Sequence, residues 1–139
     1  MSYKIIGKYI KDLNFSIPNP KTFFLLSKNI EGYKINIEIN SAQIKEKIIE
    51  ISTTLSLKPH KDFADKINTK IVFSTIVELE ENNLEKSRIE KIILVEVPSK
   101  VYSELRNIFI NLFEYSGFKD IKINKDVDFE KLYQVRKAQ

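Results

Sequence analysis

The chain predicts an α+β domain, an antiparallel sheet with helices packed on one of its faces. Three observations lead there. Residues of alternating polarity dominate up to Leu79, whereas helical repeats take over from Leu84 onward. Strands followed by helices, rather than strands and helices in turn, is the order of an α+β fold. The third observation is the stretch Pro98–Phe118, PSKVYSELRNIFINLFEYSGF. Val101, Leu105, Ile108, Leu112 and Ser116 recur there at helical spacing, with Tyr102, Phe109 and Phe113 beside them. That arc is wider than the roughly 100° stripe one core contact uses. One side covers the chain's own sheet; the other, around Tyr102, Phe109 and Ile110, is expected to meet another copy of the chain.

In order along the chain, residues 1–8 read as a loose lead-in. Tyr9–Phe15 reads as an edge strand, with Tyr9, Lys11, Leu13 and Phe15 alternating against Ile10, Asp12 and Asn14. Ile17-Pro18-Asn19-Pro20 ends it, because prolines deny ladder donors. Thr22–Ser27 (TFFLLS) is a short apolar segment in a loop, either a flap over the core or an exposed binding rim. Gly32 opens the clearest strand: Tyr33, Ile35, Ile37 and Ile39 alternate with Lys34, Asn36, Glu38 and Asn40. A break or bulge is expected at Asn40–Gln43, then a strand through Ile49, Ile51, Thr53, Leu55 and Leu57, a turn at Lys58-Pro59-His60-Lys61, and a strand over Thr69–Leu79. Leu84–Ile92 reads as a short helix, and Leu94–Val97 as an extended connector. Ser99 is placed to cap the main helix and Gly117 to end it, with Phe118 folding back on Phe113. After an extended piece, Ile121–Asn124, either Asp126 or Asp128 caps a last helix carrying Phe129, Leu132 and Tyr133.

A length of 139 residues gives one domain, 1–139, with 42% hydrophobic and 30% charged residues. There is no apolar run of about 18 residues and no secretory signal at Met1, so a cytoplasmic protein is expected. The absence of cysteine excludes disulfides and thiol chemistry. Gly7, Gly32 and Gly117 stand alone, which leaves no phosphate-cradling loop. The lone His60 has no neighbours at metal-ligand spacing, and Glu78, Glu80 and Glu81 have no catalytic companion. No enzyme, cofactor or metal site is expected. The net charge of +4 keeps a basic nucleic-acid-binding module as an alternative of another class, and a ligand-binding cup enzyme as a third.

Three motifs resemble one known family. YIKDLNFSIPNP at Tyr9–Pro20 is similar to the opening strand of SecB, the bacterial protein-export chaperone, whose members share K-D-x-x-F-x-x-P-N there; Lys11, Asp12, Phe15, Pro18 and Asn19 match. KINIEINSAQI at Lys34–Ile44 resembles the family's alternating strand, polar break and Gln. SGF, INK and VDFEKLY resemble its helix terminus, Asn-containing link and last helix. The resemblance implies a four-stranded antiparallel sheet with helices on one face, assembled as a dimer of dimers. It implies an ATP-independent chaperone that holds unfolded preproteins in apolar surface grooves. Tyr33, Ile35, Ile37 and Tyr133 match positions in or beside the client groove, plain core being the other reading of these four. The family's partner, the ATPase SecA, is met through acids on the sheet and a mobile tail. Asp12 is retained, but Ser16 and Ile76 stand where acids are usual, and Arg136 and Lys137 replace an acidic tail. Some SecB-like proteins instead keep an antitoxin competent, and that is the alternative within the chaperone class.

Overall fold

The computed structural model describes residues 2–29, 33–59, 67–118, 121 and 123–138; the side chains of Asn29, Tyr33, Lys58, Pro59, Lys137 and Ala138 are outside the description. Strands β1 (Tyr3–Ser16), β2 (Tyr33–Lys45), β3 (Ile48–Pro59) and β4 (Asn68–Leu79) form one sheet in the order β1-β4-β3-β2. Every neighbouring pair is antiparallel. Helix α1 (Pro20–Asn29) follows β1. After the sheet come α2 (Lys86–Lys91), a π segment (Ile92–Glu96), α3 (Val97–Tyr115) and α4 (Phe129–Ala138).

Alternation does what the sequence promises in β3 and β4. Ile51, Leu55 and Leu57 of β3 and Ile71, Phe73 and Val77 of β4 point to one face and are buried. Val101, Leu105, Phe109 and Phe113 of α3 close over Leu55, Ile71 and Phe73. Tyr3, Ile49, Ile51, Val77 and Leu79 form a second cluster under Ile92 and Val97. A third, of Val95, Tyr102, Phe129 and Tyr133, attaches α4 to the helical layer.

The end of α3 is the αL stop expected of Gly117, whose φ is +91°. Phe118 N–H donates to the Phe113 carbonyl at 2.9 Å and Gly117 N–H to the Glu114 carbonyl at 3.1 Å. Phe113 and Phe118 meet edge to face at 5.9 Å. Both orphan carbonyls and the apolar contact of the Schellman motif are thus present.

Several expectations are corrected. Residues 3–8 belong to β1 and are not a lead-in. Bulges between Ile5 and Gly7 and between Ile10 and Asp12 break the period-2 pattern that would have announced the strand. The second bulge also overturns the single alternation over Tyr9–Phe15: Ile10, Leu13 and Phe15 pair with helix-facing residues, whereas Tyr9, Asp12 and Asn14 pair with Ser74, Val72 and Lys70 on the other face. Thr22–Ser27 lies in α1, not in a loop. Asn19 Oδ1 accepts from Thr22 N–H at 2.9 Å, capping a helix whose first residue is Pro20. Of the break or bulge expected at Asn40–Gln43 there is no break: β2 runs on, and its pairing shifts between Gln43 and Lys45. Leu94–Val97 is helical, and Ser99 is no N-cap: its hydroxyl donates back to the Val95 carbonyl at 2.6 Å inside a continuous helix. The described part of Ile121–Asn124 is irregular, tied down by Tyr102 OH and Arg106 Nε donating to the carbonyls of Asn124 and Ile123. Asp128, rather than Asp126, caps α4 by accepting from Lys131 N–H at 2.9 Å. His60, Lys61 and Gly32 lie outside the described residues, whereas Lys58 and Pro59 still pair in β3.

Phe109 is 0% exposed within its own chain. Phe109→Ala is expected to cost about 3–5 kcal/mol in denaturant unfolding. The difference from wild type should be the same at every protein concentration, since its own chain covers the ring. A difference that grows on dilution would place the ring between subunits.

Candidate functional site

A groove runs along β2, between that strand and the side of the helical layer formed by α4 and the π segment. Its first cavity, about 350 Å³, lies among Ile35, Ile37, Tyr102, Asn124, Val127 and Leu132. Its second, about 330 Å³, shares Ile37 and Leu132 and adds Ile39, Leu94, Tyr133 and Arg136. Its third, about 430 Å³, continues past Ile39, Leu94 and Tyr133 to Ser41, Glu90 and Ile93. Shared residues make the three continuous.

Local sequence explains each wall. β2 is an edge strand, bonded only to β3, so Ile35, Ile37 and Ile39 have no strand beyond them and remain half-buried. On the other wall, Asp128 starts α4 so that Phe129 and Tyr133 turn inward, 2% and 8% exposed, while Leu132 stays 50% exposed at the rim. Tyr102 packs edge to face on Phe129 at 6.0 Å. Burial pushes the Tyr102 phenol above its ordinary pKa, and it donates to Asn124 O at 2.7 Å. Tyr133 OH donates to Glu90 Oε2 at 3.3 Å, fixing the ring at the groove floor. The lining is apolar in its middle, with Glu38 and Arg136 at the mouth.

Of the residues singled out in the sequence, Ile35, Ile37 and Tyr133 come together in this groove; the Tyr33 side chain lies outside the described residues. Ile39, Leu94, Val127, Leu132 and Arg136 were missed. Ile39 continues the alternation of Ile35 and Ile37, which was signal enough. Leu94 was hidden because its segment read as extended. Tyr102 and Phe109 are enclosed by their own chain, 4% and 0% exposed, because α4 and the sheet use up the wide arc. They therefore offer no surface to another copy; Ile110 is half-buried.

The opposite face of the sheet carries none of the described helices. Glu50 there accepts from Tyr9 OH at 2.5 Å, Ser74 Oγ at 2.7 Å and Lys11 Nζ at 2.9 Å. The bond from Lys11, then those from Tyr9 and Ser74, lower the Glu50 pKa from 4.5 to about 2. Asp12, Ser16 and Ile76 share this face with Glu50, and Asp12 is exposed. Among the described residues no group of three or more His, Cys, Asp or Glu is placed to hold a metal ion. No described helix is long and apolar enough to cross a membrane.

The family model for the preprotein translocase subunit SecB matches residues 1–139. The chain belongs to the SecB family. A SecB-named protein of Pelagibacter ubique is 40% identical over 135 residues, covering 97% of this chain and 96% of its own. The protein-export protein SecB of Rhodospirillum rubrum is 29% identical, covering 95% of this chain and 80% of its own. In structure, the chain is similar to a Mycobacterium tuberculosis SecB-like chaperone solved in complex with a ChAD peptide from an antitoxin. The TM-score is 0.67 at 9% identity, covering 91% of this chain and 88% of the other. That likeness supports the SecB-like α+β fold, a four-stranded antiparallel sheet with its helices.

A folded-state pKa below the ordinary value means that ionised Glu50 stabilises the fold above pH 4.5 and that this contribution fades as pH falls toward 2. Glu50→Gln is therefore expected to lower stability at pH 7. In denaturant titrations the gap from wild type should narrow as pH drops below 4.5. A gap unchanged between pH 7 and pH 3 would mean the carboxylate charge is not what holds Tyr9 and Lys11.

Proposed function

We propose that this SecB-family export chaperone holds unfolded polypeptides in the groove along β2, without ATP and without catalysing a reaction. The observation behind this is a continuous, open channel walled by Ile35, Ile37, Ile39, Leu94 and Leu132. Burial of apolar surface contributes roughly 25 cal/mol per Å² and does not depend on direction, so one channel suits many client sequences. Tyr33, which opens β2, belongs to the same proposed client-binding set. The cytoplasm is the compartment this role requires.

Homo-oligomerisation as a dimer of dimers belongs to the same reading. Ile6, Tyr9, Ile10 and Leu13 are all exposed on β1, a long strand with one unpaired edge. Such an edge invites a second strand. Ile110 is a contact within the assembly; Tyr102 and Phe109 support it from inside.

Purified protein should scatter light as an oligomer at micromolar concentration and suppress aggregation of an unfolded apolar client with no nucleotide present. Leu132→Asp and Ile35→Asp should weaken holding by placing an unpaired charge in the channel. Retained holding in both variants, with the oligomer intact, would move the client elsewhere.

Docking to SecA is carried by Asp12, on the helix-free face. Ser16 and Ile76 supply no charge beside it, so binding should be weak and salt-sensitive. Each missing rim charge costs about 0–1 kcal/mol. Calorimetry against the SecA tail should detect only weak binding, lost in Asp12→Asn; submicromolar binding that survives this change would assign docking to another surface. The antitoxin peptide on the structural relative is the observation behind a second reading, a chaperone of a toxin–antitoxin system. Undetectable SecA binding favours it.

A further inference from the structure

The helix that crosses the groove wall changes its hydrogen-bond register at one place. Val97 N–H bonds to the Ile92 carbonyl, five residues back, rather than to Ile93, four back. The next donor that could reach Ile93 in this wider register belongs to residue 98, which is proline and has no N–H. The same residue is the α-helical donor for the Leu94 carbonyl. Ser99 compensates one step further on, its hydroxyl donating to the Val95 carbonyl at 2.6 Å. The Ile93 carbonyl is thereby deprived of both helical donors, and the Leu94 carbonyl of its α-helical one. Both residues line the cavity of about 430 Å³, beside Ile39 and Tyr133.

We propose that the carbonyls of Ile93 and Leu94, released by the π turn and Pro98, are main-chain acceptors of the groove and take backbone N–H donors from an extended client. This rests on the groove holding polypeptide. Apolar walls alone would also accept any apolar patch. An acceptor set among them asks in addition for an unpaired N–H. More than 90% of buried backbone N–H groups in folded proteins are already paired, whereas every non-proline residue of an unfolded chain offers one. The pair of carbonyls therefore selects unfolded over folded chains without reading side-chain sequence, and Pro98 is the positioning residue that keeps them free.

The test uses a fluorescent apolar peptide and versions of it N-methylated at one residue at a time. Against the wild-type chain, methylation at one or two positions should weaken binding roughly three- to tenfold, the worth of one hydrogen bond. In Pro98→Ala residue 98 regains an N–H for Leu94. The unmethylated peptide should then bind more weakly by a similar factor, and the penalty for methylation should shrink or vanish, while the melting temperature is kept or raised. A flat methylation profile on the wild-type chain overturns the proposal without any variant. So does a profile that is the same in Pro98→Ala. If binding in addition ignores Leu132→Asp, the groove reading itself has failed; if Leu132→Asp abolishes binding while the profile stays flat, only the carbonyls are wrong.

Discussion

The contact on which the rest depends is α3 lying over the middle of the sheet. Val101, Leu105, Phe109 and Phe113 cover Leu55, Ile71 and Phe73, which belong to the central strands β3 and β4. A helix with its side chains is about 10 Å wide. Four strands spaced about 4.8 Å apart make a sheet nearly twice that width. One helix cannot roof it. The flanking strands are left to be covered by something else, and each flank meets this shortage differently. Over β2, α4 leans in with Phe129 and Tyr133 but stops short, and the uncovered strip is the groove. Over β1 the helices cover the ends, at Tyr3 and Phe15, while Ile10 and Leu13 in its middle remain exposed.

Legibility in the sequence follows the same division. Where a strand sits under α3, burial on one face enforces period 2, and β4 could be read directly from Ile71, Phe73, Val77 and Leu79. Gly117 was legible because only an αL position explains an isolated glycine between a helical repeat and Phe118. β1 was half illegible because its two bulges each insert a residue, so its face changes without a change in composition. α1 was missed for a simpler reason. Asn19-Pro20 ends a strand and also starts a helix, and only the first meaning was drawn from it. The π segment was hidden by Leu94-Val95-Glu96-Val97, whose β-branched residues and following proline suggest extended chain.

The groove was legible on its strand side and hidden on its helical side. Ile35 and Ile37 stand out by alternation, and Tyr133 by its place in the last helix. Leu94 enters the wall only because the π turn resets the phase of the helix. Regular α spacing would set Ile92 and Val97 on different faces; the wider turn lets both reach the cluster beneath them, while Leu94 and Val95 turn toward β2 and α4. Patterns of this kind constrain polarity and size rather than identity. That is how a chain with 9% identity to the mycobacterial chaperone keeps a TM-score of 0.67.

The helix-free face and the exposed edge are linked through one residue. Lys11 is the extra residue of the second bulge in β1, and its ammonium reaches Glu50 across the outer face. Without the bulge, with Lys11 paired in unbroken alternation after Ile10, Asp12 would turn inward and Leu13 and Phe15 outward. With it, Asp12 faces solvent, and Phe15 reaches Phe113 edge to face at 5.0 Å. The bulge thus serves the core and the outer face together: it seats an aromatic ring against α3 and displays an acid on the other side. Lys8 adds to this from the helix-facing side through Glu104 of α3 at 2.5 Å. An exposed ion pair contributes little by itself. Glu50 differs in that three donors converge on a carboxylate whose side chain is only 12% exposed, so its loss leaves polar groups from β1 and β4 without their acceptor. The register of β1, and with it the position of Asp12, is therefore held from the outer face as much as from the core.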